Sequence, residues 1–323
     1  MERIQIALEK ARARRAEQHA ASGSQPTEEA VAAPQPVLAP VPEQPSVSKP
    51  AREAKPAPAV QKVQAERPPK PVAKGPAERV GPEVRTRWLA LSEFRPDPKL
   101  MQRNHIVGFF GGREGGKEAG VVDMMRTRIL QEMRKNGWRR LAITSPNPTC
   151  GKTTVCLNLA FSLGRQTNQR TVVADLDMRR PGMARLMGMR RSTSFSRVLE
   201  GKEDVAENLV RYGENLAFGT NTGPARNPSE LLQSVEAAEV LAKIEADYDP
   251  TIVLCDMPPM LLADDMLAFA THVDCVLLLA AAETTSIDDL DICERELSAH
   301  TNVLGVVLNK CRYTDPSYGY GYY

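Results

Sequence analysis

The stretch "SPNPTCGKTT", residues 145–154, decides the fold class of this chain. It follows an apolar run at 140–145 and opens an amphipathic segment at 153–168, as a loop between a strand and a helix would. In such a loop, backbone N–H groups and the helix N-terminus favour a bound anion, and a lysine reaches the β- and γ-phosphates of a nucleotide. The pattern therefore predicts a phosphate-binding loop made by seven residues, namely Pro148, Thr149, Cys150, Gly151, Lys152, Thr153 and Thr154.

Two features of this loop leave alternatives open. Pro146 stands where the phosphate-loop pattern G-x-x-x-x-G-K-[ST] has its first glycine, so a chance surface loop is the competing interpretation. The strand–loop–helix context favours a nucleotide site, in which ATP binds and the Thr153 hydroxyl holds Mg²⁺. Cys150 lies beside the predicted helix N-terminus, where it is either a reactive thiol or a small filler of the loop.

Two further apolar runs end in aspartates. "VVADLDMRRP", 172–181, presents Asp175 and Asp177, and "TIVLCDMPP", 251–259, presents Asp256. Parallel strands deliver their carboxyl ends to one edge of a sheet, and strand residues two apart share a face. We therefore expect the three carboxylates to lie with Thr153 around one Mg²⁺, although an ordinary turn would also explain each aspartate alone.

Six short apolar runs alternate with amphipathic segments. This alternation predicts an α/β fold whose mostly parallel sheet is flanked by helices on both faces, and together with the phosphate loop it predicts a P-loop NTPase. The predicted strands cover 140–145, 171–175, 216–220, 251–256, 275–280 and 303–308, and the predicted helices cover 153–168, 230–246 and 286–299. "NPSELL", 227–232, predicts a helix start with Asn227 as N-cap, Pro228 as the first helical residue and Glu230 as the capping-box partner.

The chain before the α/β region differs in composition. Residues 1–20 are amphipathic and highly charged, which predicts a short helix, and residues 21–84 hold 14 of the 25 prolines and no aromatic residue. Because such a segment buries too little apolar surface to offset the entropy of ordering, it is predicted to be a disordered Pro/Ala-rich linker. A P-loop ATP-binding domain at 85–312 and a tyrosine-rich tail at 313–323 complete the predicted organisation.

Charge and cysteine content exclude some classes of function. Of the 42 Lys/Arg and 40 Asp/Glu residues, 13 and 10 lie in the first 84, which leaves 29 against 30 and argues against a nucleic-acid-binding surface. The six cysteines form no CxxC pair, as in a cytosolic protein with reduced thiols. The longest apolar run, 275–282, is far shorter than the roughly 20 residues of a membrane-spanning helix, and the charged N-terminus does not resemble a signal peptide. We therefore expect a cytoplasmic protein.

The three motifs, together with "NPSELL", "VVLNK" at 306–310 and the tyrosine-rich end, resemble the bacterial tyrosine kinases. These are P-loop autokinases linked to capsule and exopolysaccharide synthesis, and the resemblance covers about residues 104–323. It implies an ATP- and Mg²⁺-dependent protein tyrosine kinase that phosphorylates its own tyrosines and regulates polysaccharide synthesis or export.

The resemblance also assigns roles to individual residues. It implies that Lys152 binds phosphates and that Thr153 and Asp256 hold Mg²⁺. Asp175 and Asp177 would position Mg²⁺ and deprotonate the acceptor, with Asp175 favoured as the base. Asn309 is expected near the adenine, and the expected acceptors are Tyr313, Tyr318, Tyr320, Tyr322 and Tyr323.

Partners follow from the resemblance in the same way. It implies a separate membrane polysaccharide co-polymerase that holds the protein at the inner face of the membrane, self-association, and a tyrosine phosphatase. The family often assembles rings through an E-x-x-R-x-x-R motif. Here Arg126 matches its last arginine, but Gly120 and Asp123 replace the other two residues, so ring assembly through this motif is not implied.

Two other functions remain open. A partition or positioning ATPase of the same P-loop class would have a signature lysine five residues before the loop lysine, where this chain has Asn147. A non-catalytic, nucleotide-switched scaffold of a polysaccharide export complex would keep the loop and need no acceptor. Neither function explains why five of the seven tyrosines fall in the last eleven residues.

The tail is therefore predicted to be the substrate. If the strand at 303–308 runs parallel to the strand before the phosphate loop, the tail leaves the sheet at the edge that carries the site. Its eleven residues span at most about 35–40 Å, which reaches a neighbouring chain's site more easily than its own. We expect phosphoryl transfer between chains.

Overall fold

The computed structural model describes residues 81–111 and 114–312. The predicted helix at 1–20, nearly all of the predicted linker and the tyrosine tail lie outside these ranges. Helix α1 (Pro82–Ala90) begins three residues before the predicted domain boundary, because Val84 and Trp88 pack into the core. The linker boundary predicted at residue 84 is therefore too late.

One sheet of eight strands organises the described residues. Its order is β1-β4-β5-β3-β6-β2-β7-β8. The strands are β1 (Ser92–Glu93), β2 (Arg140–Thr144), β3 (Thr171–Asp175), β4 (Leu209–Tyr212), β5 (Leu216–Gly219), β6 (Ile252–Asp256), β7 (Cys275–Ala281) and β8 (Asn302–Asn309).

The prediction of a mostly parallel sheet is confirmed. β5, β3, β6, β2, β7 and β8 are parallel to one another, and they correspond to the six predicted strands. β4 pairs antiparallel with β5, and β1 extends the sheet beyond β4. Neither of these two was predicted, because β1 consists of two exposed polar residues and β4 holds only four residues before a tight turn at Gly213.

Helices cover both faces of the sheet. Besides α1 they are α2 (Pro98–Arg103), α3 (Gly116–Asn136), α4 (Lys152–Gly164), α5 (Met183–Met187), α6 (Phe195–Leu199), α7 (Val205–Asn208), α8 (Pro228–Gln233), α9 (Val235–Tyr248), α10 (Asp265–Phe269) and α11 (Ile287–His300), with 3₁₀ turns at Val107–Phe109 and Ala270–His272. Within 81–111 and 114–312, no helix has the length and apolar character needed to cross a bilayer.

The apolar core is divided by the sheet into two clusters. Alternate strand residues point to opposite faces, so Leu141 and Ile143 of β2 join one cluster and Ala142 joins the other. α3 and α4 pack on the first face, and α9 and α11 pack on the second. A sheet buried on both faces explains why its central strands are continuous apolar runs.

The predicted helix at 230–246 is two helices, and its predicted cap is wrong. α8 does begin at Pro228, but Asn227 has a φ of 47° and its side chain makes no capping hydrogen bond. The chain breaks again at Ser234, whose side chain accepts a hydrogen bond from the Ala237 N–H at 3.1 Å and so caps α9. In its left-handed conformation, Asn227 turns the chain into α8 instead of capping it.

Candidate active site

The predicted phosphate loop joins β2 to α4, which begins at Lys152. Two of its residues have a left-handed backbone: Thr149 with a φ of 60° and Gly151 with a φ of 93°. Lys152 is buried, with 7% of its surface exposed, and no hydrogen bond or ion pair holds its ammonium within the described part of the chain. A loop of this geometry at the start of a 13-residue helix is suited to bind phosphate.

Asn309, the last residue of β8, braces this loop. Its side-chain amide donates a hydrogen bond to the Cys150 carbonyl at 2.8 Å. A Cβ atom added to Gly151 would lie 2.5 Å from the same amide nitrogen, so only glycine allows this approach. Asn309 therefore lies at the site, but against the loop backbone; its expected proximity to adenine stays a prediction.

Other contacts fix the start of the loop. The Asn147 side chain donates to the Asp289 carboxylate at 2.9 Å, which connects the loop to α11. The Ser145 hydroxyl donates to the Asn147 carbonyl at 2.6 Å, and the Met260 N–H donates to the Ser145 carbonyl at 2.9 Å. Asn147 stands at the position of the signature lysine of the partition ATPases, and its side chain is bonded within its own domain.

Cys150 is enclosed by the loop. Its side chain is fully buried, and its thiol contacts the Asn147 carbonyl at 3.2 Å. Such a thiol fills the loop interior and is inaccessible to reagents in solution. Of the two interpretations of Cys150, this geometry favours the loop filler.

The aspartates meet at the carboxyl edge of the sheet, beside the loop. Asp175 and Asp256 end the adjacent strands β3 and β6, and they are register partners. Both are fully buried, whereas Asp177 follows two residues beyond β3 and is partly exposed. β8 also ends at this edge, as predicted, and Arg312, the last described residue, follows it by three positions.

The pKa values of these carboxyls reflect burial and mutual repulsion. Burial raises the pKa of Asp256 to about 7, although the nearby Thr153 hydroxyl and Lys152 ammonium oppose the shift. The pKa of Asp175 is raised well above its ordinary value by burial first, then by the charges of Asp256 and Asp177. Burial also raises the pKa of Asp177, against the Arg180 N–H and the Lys152 charge. The site thus concentrates negative charge that a cation would compensate.

Several carboxylate oxygens at this edge are buried without a partner. In the described ranges neither side-chain oxygen of Asp256 has a hydrogen-bond partner, since the Thr153 hydroxyl does not reach bonding geometry. Of the two side-chain oxygens of Asp175, only one has a partner, the Met183 N–H. Such atoms are costly to bury unless a ligand satisfies them. Across the same ranges, no group of three His, Cys, Asp or Glu side chains is arranged to hold a metal. The residues therefore fit Mg²⁺ bound jointly by protein and nucleotide phosphate.

One ion pair beside the site was missed from the sequence. Arg179, two residues after Asp177, donates two hydrogen bonds to the buried Asp265 carboxylate at 2.8 and 2.9 Å. The Ala225 N–H donates to the Met178 carbonyl at 2.9 Å, so the same loop is also tied to the segment before α8. The arginine of "DLDMRR" was the available signal, but its partner lies 86 residues away in the chain.

Arg126, the match to the last arginine of the family's ring motif, points inward. It donates to Asp123 at 3.2 Å, to the Ser162 carbonyl at 3.2 Å and to the Ser162 hydroxyl at 3.1 Å. Arg165 also pairs with Asp123. Asp123 and Arg126 therefore join α3 to the phosphate-loop helix within one chain, while Gly120 is exposed with open space around it.

The buried Asp256 carboxyl should make the stability of the nucleotide-free domain depend on pH. Because its folded-state pKa is raised to about 7, the folded state binds more protons than the unfolded chain between its ordinary pKa and that value. The free energy of unfolding should therefore fall as pH rises through this window. Asp256→Asn should flatten the dependence and, near pH 8, stabilise the domain by on the order of a few kcal/mol.

Denaturant unfolding without nucleotide, at about pH 5 and about pH 8, measures this effect. Asp291→Asn, at an exposed position of α11, is the matched control and should leave the pH dependence unchanged. If the Asp256→Asn and parent curves remain parallel, the buried carboxyl is not the source.

Known proteins share this domain. No protein-family model matches the chain. The chain is 31% identical over 206 residues to the tyrosine-protein kinase wzc of Salmonella typhimurium, covering 63% of the chain and 28% of that protein. It is 29% identical over 182 residues to the tyrosine-protein kinase CpsD of Streptococcus pneumoniae serotype 4, covering 55% of the chain and 79% of that protein.

A solved structure agrees with these relatives. The kinase domain of VpsO superposes with a TM-score of 0.54 at 28% identity, covering 60% of the chain and 95% of that domain. The chain spans only 28% of the length of wzc. In sequence, motifs and fold, this chain is therefore similar to the bacterial tyrosine kinases.

Proposed function

We propose that the chain is a protein tyrosine kinase that uses ATP and Mg²⁺ to phosphorylate its own tyrosine cluster, acting between chains. The proposed acceptors are Tyr313, Tyr318, Tyr320, Tyr322 and Tyr323. The observation that carries the proposal is the meeting of Asp175 and Asp256, with their unpartnered oxygens, beside the phosphate loop at Lys152 and Thr153.

Each residue at this edge has a proposed task. Mg²⁺, when bound, would neutralise charge on the phosphates, and Thr153 and Asp256 are the residues that would hold it, with Asp175 and Asp177 nearby. Lys152 offsets the negative charge that develops on the transferred group. Asp175 or Asp177 accepts the proton of the tyrosine hydroxyl, and their raised pKa values suit a general base.

Polysaccharide synthesis or export is the proposed setting. It is supported by relatives named as tyrosine kinases, one of which belongs to a "cps region" of Klebsiella pneumoniae. In this setting a membrane co-polymerase would recruit the protein to the inner membrane face, and a phosphatase would reset the tail. The partition-ATPase alternative is disfavoured because Asn147, at the signature position, is bonded to Asp289.

A mixing experiment tests transfer between chains. A Lys152→Met chain with its tail intact is combined with an active chain that ends at Arg312, in the presence of ATP and Mg²⁺. Phosphotyrosine should appear on the Lys152→Met chain. If that chain stays unlabelled while the full-length protein labels itself at a rate independent of concentration, transfer occurs within one chain. Absence of phosphotyrosine in every arm would favour the nucleotide-switched scaffold.

Replacing Asp175 and Asp177 should lower the rate of phosphoryl transfer more than the affinity for nucleotide. Asp175→Asn and Asp177→Asn keep side-chain shape but remove the ability to accept a proton, so each should lower turnover by about a hundredfold or more. Nucleotide affinity should change by less than about tenfold, because Asp256 and the loop remain. Single-turnover phosphorylation and fluorescent-nucleotide binding measure the two quantities. Normal turnover in the double variant would show that neither aspartate takes part in catalysis and that both belong to an ordinary turn.

A further inference from the structure

β8 is an edge strand whose outer side lies uncovered in the described part of the chain. None of its eight residues is buried, and Val306 and Leu308 are 38% and 60% exposed. The sequence of β8, "NVLGVVLN", contains no charge and no proline. Proteins usually protect long edges with such residues, because the free N–H and C=O groups of an edge pair with any available strand. An unprotected edge of this length indicates that another strand covers it.

The exposed side chains of β8 share one face of the sheet. Val306 is the register partner of Leu278, which belongs to the core cluster beneath α11. Register partners in neighbouring strands point to the same face, so Val306 and Leu308 lie on the face that α11 covers only in part. Ile292 of α11 is itself 40% exposed. We refer to Val306 and Leu308, with the open backbone of β8, as the β8 edge.

We propose that the chain's own tail, residues 318–323, pairs with the β8 edge while its tyrosines are unphosphorylated. The tail follows β8 after only eight intervening residues, 310–317, which suffices to reverse direction and gives a high effective concentration. Lys310, with a φ of 60°, already turns the chain away from the strand axis. A tail that returns in this way adds as an antiparallel strand.

The sequence of the tail fits this edge. In an extended strand, Tyr318, Tyr320 and Tyr322 point to one face and the glycines between them to the other. Three rings on the α11 face would cover Val306 and Leu308, and aromatic–aliphatic cross-strand pairs are favourable. The other side carries Gly319 and Gly321, which need no apolar surface to pack against, and only the terminal Tyr323 adds a ring there. A second copy's β8 edge offers no such alternation of aromatic residues and glycine.

Docking would store the acceptor tyrosines away from the site. Each residue of the returning strand moves about 3.3 Å from the sheet edge that carries Lys152 and Asp256, so Tyr320 and Tyr322 are held progressively farther from the phosphates than Tyr318, which docks nearest Asn309. This regulatory role rests on the proposed kinase function. Phosphorylation adds about −1.5 to −2 charges per tyrosine. The neighbouring α11 has a net negative charge that disfavours a phosphorylated tail, since it carries one arginine, Arg295, against the acidic residues Asp288, Asp289, Asp291, Glu294 and Glu296.

Hydrogen exchange tests the docking without any phosphoryl transfer. A full chain carrying Lys152→Met, without ATP, is compared with the same chain ending at Arg312. β8 amides should exchange at least about tenfold more slowly in the longer chain, and amides elsewhere should be unchanged. With Val306→Asp the difference between the two lengths should vanish. With Val121→Asp, a matched change at an exposed valine of α3, it should persist.

Three outcomes would overturn the proposal. Equal β8 exchange in both lengths would mean that the tail does not dock. Protection that grows with protein concentration would assign the β8 edge to a second copy. A synthetic peptide of residues 313–323 should slow β8 exchange in the shorter chain. If the phosphorylated peptide slows it equally, phosphorylation does not release the tail from the β8 edge. Because none of these measurements uses catalysis, they stand apart from a failure of the kinase assay.

Discussion

Lys152→Met is expected to reduce tyrosine phosphorylation by on the order of a thousandfold, while the protein stays folded. Phosphoryl transfer depends on positioning and on neutralising the charge of the transferred group, so an isosteric stem without charge removes the main contribution. The protein should stay folded, because methionine suits the buried position and the Lys152 side chain makes no ion pair in the described ranges; the lost charge raises the pKa values of the neighbouring Asp177 and Asp256 further.

Single-turnover phosphorylation and thermal unfolding of the variant measure these two effects. Lys135→Met is the matched control, since the Lys135 side chain is 72% exposed on α3 and should not affect transfer. An undiminished rate in Lys152→Met would show that the loop does not bind the transferred phosphate.

Gly151→Ala should disable the phosphate loop through its backbone. At a φ of 93°, alanine is strained by roughly 1–2 kcal/mol, and its Cβ would lie 2.5 Å from the Asn309 amide. Either the loop or the end of β8 must move, so nucleotide affinity should fall by at least about tenfold. Titration with a fluorescent ATP analogue, together with denaturant unfolding, measures both consequences.

Two further variants separate strain from collision. Gly120→Ala lies within α3 with open space around it and should be neutral or stabilising by up to about 1 kcal/mol. Adding Asn309→Ala to Gly151→Ala removes the colliding amide but keeps the backbone strain, so it should restore only part of the affinity. Full affinity in Gly151→Ala alone would contradict the described loop geometry.

The sequence predicted the elements whose burial leaves a strong pattern. The strands ending at Asp175 and Asp256 are continuous apolar runs because both sheet faces are covered, and "GKTT" gave the start of α4. The elements at the rim were missed because they bury little. β1 consists of two polar residues. The Asn-Pro sequence at 227–228 is typical of a helix N-cap, and sequence alone does not show that Asn227 adopts a left-handed conformation instead.

The contacts that build the site could not be predicted from local patterns. Asn309 reaches the Cys150 carbonyl across 159 residues of sequence, and its role depends on a side-chain orientation that spacing does not specify. The enclosure of Cys150 likewise depends on the path of the loop and not on its helix-terminal position. Only the proximity of Asp175 and Asp256 could be predicted, from their positions at the ends of two apolar strands. Parallel strands end at the same edge of a sheet, so this proximity does not depend on any local contact.

Helix α1 determines how tension from the preceding residues would enter the domain. The Trp88 indole donates to the Tyr248 carbonyl at 2.8 Å, and the two rings pack edge to face. Tyr248 ends α9 just before β6 begins, at the sheet edge opposite the one where Asp256 lies. A pull on the N-terminal segment would therefore be borne first by α1, which is also tied to Asp247 by Arg87 and to Glu214 by Arg85, at the end of the sheet opposite Asp256.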